Sequence, residues 1–512
     1  MDVFADGPAF RTLASLLQAH AERHPGKAAV VDVDSGRTIA FGELARVVDG
    51  VALQLTRRGV SSGARVVLCT ASGIETVVMW LALWRLAAVV CPLDAAQFGT
   101  ASAYAVLAAL KPVLVLRSVH GDTPDLPDGV DLPEARFDDW PTTARDAHAA
   151  TIALAASPRD SLQDAPCVQS ADVAAMCCTS GSTGGTKIVV HDHGSYWLNG
   201  LDSIELLDLH GDDRTLEYRS FSWYSSQILS LMPFLQLGLT LHLARRFSRS
   251  RFGDWIERHR ITVAAGVPTV LNVLLSGSMQ SFPAQARSLR LMTSSSAPLI
   301  RTTWQRFERA SGVPLVNLYG SSEAGWICGN RLADRRIGSV GRPVRRAVFD
   351  ILGADDRPCP PGMPGQVVVA GPKLALGLVQ ADGSIEPLRG GLHCTRDLAL
   401  RADDGYIELL GRLDDLVIRG GIKVSPQEIE EALLAHPDVV EAGAIGVPDA
   451  IYGQEAICFV VLREGATSDE ASLHAHAAAA LSRDKRPKTV HVVDALPRNA
   501  RGKLERDKLR GR

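Results

Sequence analysis

Helical and strand-like stretches alternate along the first hundred residues of this 512-residue chain. Residues 12–23 and 41–58 place apolar side chains at the spacing of an amphipathic helix, whereas residues 28–33 and 64–70 are short apolar runs of strand length. Such alternation is typical of domains in which helices pack on a largely parallel sheet. The sequence therefore predicts an α/β fold, with a large layered N-terminal domain whose sheets are covered by helices.

The apolar segment of residues 76–93 approaches the length of a membrane span. Glu75 directly precedes it, Arg85 lies in its middle and Pro92 stands one residue before its end. A buried helix followed by a buried strand fits these positions better than a membrane helix, which needs about twenty apolar residues with few charges. We therefore expect no membrane span.

Charge and cysteine content argue against several classes of protein. The net charge of −3 gives no basis for binding nucleic acid or an anionic membrane. The nine cysteines form no C-x-x-C pair, and the histidines do not cluster in a metal-ligand pattern. The N-terminus lacks a basic region followed by an apolar run. We expect a cytoplasmic protein with reduced, mostly buried thiols.

The last hundred residues predict a second, smaller unit of the α+β class. Ser425 and Glu428 have the spacing of a capping box, and Pro426 stands at the first helical position, so a helix is expected up to about Ala435. The further elements expected are strands at residues 439–447, 456–462 and 490–493 and a helix at residues 470–482. No low-complexity linker separates the units, so domains of residues 1–412 and 413–512 should meet at a tight hinge.

A loop of glycines and hydroxyl residues follows the apolar strand expected at residues 173–178. Glycines let backbone N–H groups converge on an anion, hydroxyls add donors and a lysine adds positive charge, so the loop suits a polyphosphate. It is not a Walker A loop, because Thr186 stands where that motif requires glycine and neither serine nor threonine follows Lys187. Taken alone, it is also compatible with a flexible hairpin. The loop consists of Thr179, Ser180, Gly181, Ser182, Thr183, Gly184, Gly185, Thr186 and Lys187.

This loop resembles the phosphate loop of the adenylate-forming superfamily, which includes acyl-CoA synthetases, non-ribosomal peptide synthetase adenylation domains and firefly luciferases. The resemblance continues to His193, the histidine that closes the motif, and then covers nearly the whole chain in the family's order. The later matching segments are residues 317–323, 365–372, 397–414, 421–430 and 497–503. The chain is most similar to a stand-alone acyl-CoA ligase.

The resemblance implies a reaction between a carboxylate and the α-phosphate of ATP, which brings two anions together and needs positive charge and fixed donors. Lys503, in the C-terminal domain, would bridge the two anions, and Ser322 would donate to the α-phosphate. Glu323 would bind Mg²⁺, a hard cation that takes carboxylate and phosphate oxygens. His193 belongs to the same implied catalytic group, and Asp414 would be the pivot of a mobile C-terminal domain.

The same resemblance implies the nucleotide contacts. Tyr319 would stack on adenine, Asp397 would accept both ribose hydroxyls and Arg412 would support Asp397. Each residue has an ordinary alternative, since Tyr319 could be a core aromatic residue, Glu323 a surface acid and Lys503 one more cation in a basic tail. The remaining implied nucleotide- and coenzyme-binding residues are Thr179, Ser180, Gly181, Ser182, Thr183, Gly184, Lys187, Ser296, Ala297, Pro298, Gly320, Ser321 and Lys423.

The sequence departs from the family pattern in several places. Arg396 replaces the glycine of Thr-Gly-Asp, Leu378 replaces the tyrosine of Gly-Tyr, and Gly185-Thr186 replaces the usual residue and proline before the lysine. Residues 294–298, Ser-Ser-Ser-Ala-Pro, stand where Gly-Gly-Ala-Pro is common. These departures leave the details of the adenine, ribose and pantetheine contacts open.

The acid should bind beside residues 221–225 and 266–269 and the segment after Glu323. In amino-acid-activating relatives an aspartate pairs with the substrate ammonium, and Ser222 stands at that position, which disfavours an α-amino acid. Aromatic residues predict an apolar pocket for a small or medium uncharged aliphatic or aryl acid, although each ring is equally compatible with core packing. The pocket residues expected are Ser222, Trp223, Gly266, Val267 and Trp326, with Tyr224 beside them.

The acyl acceptor is expected to be free coenzyme A or the phosphopantetheine of a separate carrier protein, because no carrier segment follows Lys503. The sequence thus predicts an AMP-forming acid–thiol ligase that uses ATP, Mg²⁺ and coenzyme A. One alternative is a stand-alone adenylation enzyme that loads an acyl or amino acid onto a carrier protein. A second alternative is a nucleotide-binding homologue without turnover.

Overall fold

The computed structural model describes residues 8–94, 101–117, 132–136, 166–180, 186–498 and 504–510. The strands are β1 (Ala28–Asp32), β2 (Thr38–Ala40), β3 (Arg65–Cys69), β4 (Val89–Pro92), β5 (Leu114–Arg117), β6 (Glu134–Arg136), β7 (Val173–Ser180), β8 (Thr186–Asp192), β9 (Arg214–Glu217), β10 (Thr240–Leu243), β11 (Val263–Ala264), β12 (Leu291–Ser294), β13 (Leu315–Ser321), β14 (Gly325–Gly329), β15 (Arg342–Pro343), β16 (Val348–Leu352), β17 (Gly365–Ala370), β18 (Gly377–Val379), β19 (Ile385–Pro387), β20 (His393–Arg401), β21 (Ile407–Arg412), β22 (Val417–Arg419), β23 (Ile422–Val424), β24 (Val439–Asp449), β25 (Gly453–Leu462) and β26 (Thr489–Val492).

Helices of very different length connect these strands. The α-helices are α1 (Leu13–Arg23), α2 (Phe41–Arg57), α3 (Ile74–Arg85), α4 (Ala101–Leu110), α5 (His193–Leu207), α6 (Tyr224–Ser226), α7 (Met232–Leu237), α8 (Arg249–His259), α9 (Pro268–Leu275), α10 (Phe282–Gln285), α11 (Arg301–Ser311), α12 (Pro426–Leu434), α13 (Glu470–Ala480) and α14 (Arg506–Leu509). A π-helical turn, Gln227–Leu231, joins α6 to α7. Short 3₁₀ turns lie at Ala286–Ser288, Leu413–Asp415 and Arg483–Lys485.

Three sheets build the large N-terminal part. A nine-stranded sheet has the order β15-β14-β13-β12-β11-β9-β10-β1-β2, and its strands from β13 to β1 run parallel. An eight-stranded sheet has the order β19-β18-β8-β7-β4-β3-β5-β6, and a four-stranded antiparallel sheet has the order β16-β17-β20-β21. Helices cover these sheets, which confirms the predicted class: a large α/β domain of layered sheets.

Helix α3 accounts for the apolar segment that resembled a membrane span. Its residues from Ile74 to Trp84 are buried apart from Glu75, because the helix packs against α1, α2 and the sheet strand that follows it. The Trp84 indole N–H donates to the Ala174 carbonyl at 2.9 Å, and Arg85 pairs with Asp49 on α2 at 3.1 Å. Among the described residues no helix is long and apolar enough to cross a membrane.

The strands after residue 416 form a sheet of their own. Its order is β23-β22-β25-β24, with β26 pairing with β25, and helices α12 and α13 pack against it. The core of this unit contains Val417, Ile429, Leu433 and Val460, which are all almost fully buried. The predicted small α+β unit is therefore confirmed, whereas the proposed boundary between residues 412 and 413 stays a prediction.

The capping box expected at Ser425 is wrong. The Ser425 hydroxyl donates to the Leu410 carbonyl at the end of β21, and Glu428 pairs with Lys485 at 2.6 Å. Pro426 does occupy the start of α12, as expected. Because a carbonyl of the preceding strand lies within reach, the hydroxyl links the two units instead of capping the helix.

A buried lysine that the sequence did not single out ties three elements together. Lys373 follows β17 and is fully buried, with Nζ donating to Asp202 Oδ2 at 2.5 Å, to Asn199 Oδ1 at 3.2 Å and to the carbonyl of Trp326. Asp202 lies on α5 and also accepts from Arg346 at 2.9 Å. Burial lowers the pKa of Lys373, and Asp202 opposes that shift. The ammonium therefore holds α5, β14 and the segment after β17 in register.

We expect Lys373→Ala to lower the free energy of unfolding by about 3–5 kcal/mol, because it removes the buried cation that pairs with the buried Asp202 and donates to two further acceptors. Chemical denaturation checks this value. Lys508→Ala is the matched control, since Lys508 pairs with Glu505 on the exposed surface at 2.7 Å and should contribute less than about 1 kcal/mol. Equal losses in the two variants would contradict the structural role of Lys373.

Candidate active site

The carboxyl ends of parallel strands bring four predicted segments to one edge of the nine-stranded sheet. Strands β9, β11, β12 and β13 are neighbours and run in the same direction. The segments that follow them are residues 218–225, 265–268, 295–298 and 322–324. Ligands of open α/β sheets bind at this edge. The topology therefore assembles the predicted adenine, acyl and phosphate contacts from segments far apart in sequence.

Asp397 joins this edge to the four-stranded sheet. The Tyr319 hydroxyl donates to Asp397 Oδ2 at 2.5 Å, and Arg412, directly opposite Asp397 on β21, places Nε 3.8 Å from Oδ1. Arg412 Nε is buried and makes no hydrogen bond within the described part of the chain. Burial, with the nearby Asp397 charge, raises the pKa of Tyr319, so its hydroxyl stays a donor. A partly exposed carboxylate beside an unsatisfied guanidinium N–H suits a diol such as ribose.

Two paired strands, β7 and β8, flank the glycine-rich loop. Strands β7 and β8 pair antiparallel, with Thr179 opposite Lys187 and Ser180 opposite Thr186. The strand expected before the loop and the β-like segment after it are thus confirmed. Lys187 is exposed at the end of the hairpin. The loop residues Gly181, Ser182, Thr183 and Gly184 lie outside the described residues, as do Gly185 and the predicted catalytic Lys503.

His393 is a site residue that the sequence reasoning missed. It begins β20 and is partly buried, and the charges that influence its pKa belong to Glu323, Lys187 and Asp397. Burial lowers this pKa, Glu323 and Asp397 oppose the shift, and Lys187 adds to it. Glu323, Lys187 and Asp397 are therefore close enough to His393 to affect its pKa. The sequence feature that could have identified His393 is its position four residues before Asp397 on the same strand.

Glu323 lies in the turn between β13 and β14. The backbone fixes this turn, because Ala324 N–H donates to Ser321 Oγ at 3.1 Å and Ala375 N–H donates to the Glu323 carbonyl at 2.8 Å. Gly320, just before the turn, is exposed and approaches Gly325 so closely that a Cβ would lie 2.2 Å from the Gly325 oxygen. No group of three His, Cys, Asp or Glu side chains that could hold a metal occurs among the described residues. Glu323 with phosphate oxygens remains a suitable Mg²⁺ environment.

Hydroxyl groups surround the predicted acyl pocket. Ser222 Oγ donates to Asp94 Oδ2 at 3.4 Å and accepts from Ser220 at 2.9 Å, while Ser225 and Ser296 are 3.4 Å apart through their oxygens. Ser296 is exposed and has a φ of +69°. This left-handed conformation explains why glycine is common at its place in the family.

A buried ion pair stands behind these serines. Arg219 donates through Nε and Nη2 to both carboxylate oxygens of Glu217, at 2.9 and 2.7 Å. Its remaining nitrogen, Nη1, lies 3.5 Å from Ser225 Oγ and 3.4 Å from Ser295 Oγ. Burial tends to lower the pKa of Arg219, but Glu217 outweighs that effect and raises it. The pocket region is therefore more polar than the sequence predicted.

Two aromatic residues expected to line the pocket are core residues instead. Trp326 is 2% exposed, and its indole N–H donates to Ser203 on α5 at 2.7 Å. Tyr224 is 4% exposed and stacks on His191 with ring centroids 3.9 Å apart. Both rings have partners inside the fold, so the expectation of Trp326 as a pocket wall is corrected. Trp223 remains the partly exposed ring of the three.

Gly266 and Val267 lie where β11 ends, as the pocket prediction requires. Gly266 N–H donates to Thr293 Oγ1 at 3.1 Å, and a Cβ at this position would lie 2.1 Å from the Thr293 carbonyl oxygen. Only glycine fits such an approach. Ala297 and Pro298 follow the exposed Ser296 at the same edge.

His193 occupies a core environment. Its ring packs edge-on against Trp84 at 5.5 Å, and burial lowers its pKa to about 4, with Asp172 and Asp192 opposing the shift. Its catalytic role stays a prediction that this contact does not favour. By contrast, Asp414 and Lys423 are exposed, the first in the turn after β21 and the second on β23.

Comparison with known proteins shows the family to which the chain belongs. Residues 17–379 match the AMP-binding enzyme family, and residues 428–503 match the AMP-binding enzyme C-terminal domain. The chain is 32% identical to a sulfoacetate–CoA ligase of Cupriavidus necator over 99% of both chains, and 30% identical to an oxalate–CoA ligase of Arabidopsis thaliana over 97% of both.

Solved structures of CoA ligases and of MatB also match nearly the whole chain. ATP-bound MatB from Rhodopseudomonas palustris matches with a TM-score of 0.87 at 28% identity, over 98% of both chains. The apo form of that enzyme matches over the same share with a TM-score of 0.77. An anthranilate CoA ligase in complex with anthranoyl-AMP matches with a TM-score of 0.86 at 25% identity, over 100% of this chain and 98% of that one. The chain belongs to the AMP-binding enzyme family, and it is an enzyme of the acid–thiol ligase class.

Buried histidines make the stability of the fold sensitive to acid. Burial lowers the pKa of His191 to about 3, of His193 to about 4 and of His242 to about 3, from an ordinary value of 6.5. The unfolded chain therefore binds more protons below pH 6.5. This contribution is fully present above that pH and is lost as the pH falls toward the folded pKa values, by about 1.4 kcal/mol per pH unit for each histidine.

We expect the free energy of unfolding to fall by roughly 4 kcal/mol between pH 7.5 and 5.5 through these three groups together. Denaturant titrations at several pH values measure it. His242→Asn should reduce the dependence of the unfolding free energy on pH by about one third, because it removes one of the three histidine contributions. A slope unchanged by that substitution would refute the assignment.

Proposed function

We propose that the protein activates a carboxylic acid with ATP, forming an acyl-adenylate and pyrophosphate, and then transfers the acyl group to the thiol of coenzyme A, releasing AMP. The observation that carries the proposal is the Tyr319–Asp397–Arg412 contact at the carboxyl edge of the sheet. In this proposal the contact serves as the ribose site, and the charges of Glu323 and Lys187 lie near the same part of the molecule. End-to-end similarity to enzymes named as CoA ligases supports the same reaction.

In the first half-reaction a carboxylate oxygen attacks the α-phosphorus, and the bond to pyrophosphate breaks. Two anions approach each other, so positive charge must be supplied where negative charge accumulates. Lys187 on the hairpin would serve the β- and γ-phosphates, Ser322 would donate to the α-phosphate, and Lys503 would bridge the phosphate and the acid. Mg²⁺ held by Glu323 and phosphate oxygens would neutralise further charge.

The nucleoside would be oriented by the residues around Asp397. Its carboxylate accepts from Tyr319 and faces Arg412, and it is partly exposed, so we propose that ribose hydroxyls donate to it at this position. Tyr319 is 8% exposed and lies in a core cluster, so at most one part of its ring could meet adenine. The proposed role of Tyr319 therefore rests on its hydrogen bond to Asp397 more than on stacking against adenine.

In the second half-reaction the thiol sulfur attacks the acyl carbon, and AMP leaves. The hairpin of β22 and β23 supplies a suitable approach, because Gly420 and Gly421 have φ values of +55° and +87° and are exposed. A side chain at either position would be strained and would cover the backbone. Arg419 and Lys423 flank this turn and would serve the phosphates of coenzyme A. We propose that the small unit rotates at Asp414 to bring this hairpin to the adenylate.

For the acid, we propose a short carboxylate that carries a further hydrogen-bonding group. Ser222, Ser225 and Ser296 offer hydroxyls around the pocket, and the expected aromatic wall is reduced to Trp223. Relatives named for sulfoacetate, oxalate and anthranilate each act on an acid with a second polar group, which supports this choice. An entirely apolar acid would make no use of these hydroxyls, whereas an acid with a second polar group could hydrogen-bond to them.

The experiment is pyrophosphate exchange across a panel of short polar, aliphatic, aryl and α-amino acids, followed by detection of the thioester with coenzyme A. We expect exchange with a short polar acid and thioester formation that depends on coenzyme A. Exchange driven by an α-amino acid, with no thioester on free coenzyme A, would favour a carrier-protein enzyme. ATP binding without exchange by any acid would refute the proposal.

Lys503→Ala should lower pyrophosphate exchange by at least about a hundredfold while ATP binding is largely retained, because one contact to the transition state is lost. Lys508→Ala is the control, since it removes an exposed cation from the same tail. Exchange rates and calorimetric ATP affinity test both variants. Near-normal exchange in folded Lys503→Ala protein would remove Lys503 from the mechanism.

A further inference from the structure

Arg396 adopts a backbone conformation that residues with a Cβ rarely adopt. Its φ is +64°, in the left-handed region, and it stands between Thr395 and Asp397 where the family pattern has glycine. A side chain in this region persists only where its surroundings hold it. The contacts of its guanidinium therefore need explanation.

The guanidinium of Arg396 forms a two-pronged ion pair with Asp414. Nε donates to Oδ2 at 2.9 Å, and Nη2 donates to Oδ1. A planar fork matches the two oxygens of a carboxylate, and lysine cannot reproduce this geometry. Arg396 holds the pKa of the Asp414 carboxyl below its usual range. Both side chains are substantially exposed, 59% and 35%, so the pair adds little to overall stability.

Because of the position of Asp414, this weak ion pair can affect the turn that joins the two units. Asp414 lies in the short turn Leu413–Asp415, through which the chain passes from β21 to the sheet of the small unit. The next residue, Asp415, faces Arg506 of the small unit at 3.8 Å, and Arg506 also pairs with Glu430 at 2.7 Å. The turn is thus held from the large unit through Asp414 and from the small unit through Asp415.

We propose that Arg396 is a positioning residue that acts through Asp414 and favours the arrangement of the two units in this structure over the arrangement needed for thioester formation. The proposal rests on the two-step function proposed above. Changing the backbone of the turn requires the fork to open. Over the whole chain, the structure superposes on ATP-bound MatB with a TM-score of 0.87 and on apo MatB with a TM-score of 0.77. In this proposal Arg396 holds the enzyme in its adenylating arrangement.

The same residue pair connects the hinge to the nucleotide site. Arg396 is adjacent in sequence to Asp397, and Asp414 lies two residues after Arg412. Asp397 and Arg412 are opposite each other on β20 and β21. The Arg396–Asp414 pair therefore lies next to the Asp397–Arg412 contact, one residue away on β20 and two residues away past the end of β21.

The test measures the two half-reactions separately in single-turnover experiments, pyrophosphate release for adenylation and thioester appearance after coenzyme A is added. Arg396→Gly removes the fork and relieves the backbone. We expect the ratio of the thioester rate to the adenylation rate to rise about two- to fivefold, the factor by which an exposed ion pair shifts an equilibrium. High salt should raise the ratio in the native enzyme and leave that of the variant unchanged.

Further variants separate a positioning role from a merely structural one. Arg396→Lys should give an intermediate ratio, since it keeps the charge and loses the fork. Asp414→Asn should raise the ratio, and adding it to Arg396→Gly should cause no further rise, because the fork is already absent. Arg401→Gly is the matched control: it removes an exposed ion pair with Asp350 from the far end of the same strand and should leave the ratio unchanged.

Chymotryptic cleavage after Leu413 or Leu416 provides a readout that does not depend on catalysis. Arg396→Gly should be cleaved faster than the native enzyme, and Arg401→Gly should not. An unchanged ratio with unchanged cleavage, or an equal fall of both half-reactions, would overturn the proposal. If the native enzyme performs neither half-reaction, the proposed function fails, and the cleavage rates alone decide whether Arg396 holds the turn.

Discussion

Asp397 is the carboxylate at which the nine-stranded and four-stranded sheets meet in the candidate site. It accepts the hydroxyl of Tyr319 from the nine-stranded sheet and faces Arg412 on the neighbouring strand of its own sheet. A partly buried carboxylate needs donors, so this one charge forms a polar contact between the two sheets. The proposed nucleotide site and the proposed hinge therefore lie on one short stretch of two paired strands, β20 and β21.

The fold was largely predictable because its elements obey local rules. Helix α1 begins where expected, with the Thr12 hydroxyl accepting from Ser15 N–H, and the apolar segment resolves into α3 and β4. The exception at Ser425 has a physical reason. The Ser425 hydroxyl donates to the Leu410 carbonyl, which is fifteen residues away in sequence but close in space. This hydrogen bond replaces the expected contact between the hydroxyl and the first turn of helix α12. Spacing in the sequence carries no information about such a competitor.

The motif residues of the candidate site could be predicted from the sequence, whereas the residues that line the acyl pocket could be predicted only in part. The order of the motifs identified Tyr319, Asp397 and Arg412, whose side chains do meet. Periodicity could not separate a pocket ring from a core ring, because the partners that decide the matter, Ser203 for Trp326 and His191 for Tyr224, are distant in sequence. Lys373 and His393 were missed for the same reason: their importance comes from Asp202 and from Glu323, which the chain brings to them only by folding.

The separate core of the small unit has an optical consequence. All eight tryptophans precede residue 327, whereas the core built around Val417, Ile429 and Leu433 contains none, and Tyr452 is the one tyrosine after residue 406. No tryptophan belongs to the unit that carries the β22–β23 hairpin, so indole emission gives no direct signal from that unit. A tryptophan placed on the exposed face of that unit, at Ile451 for example, would give it a signal of its own without disturbing either core.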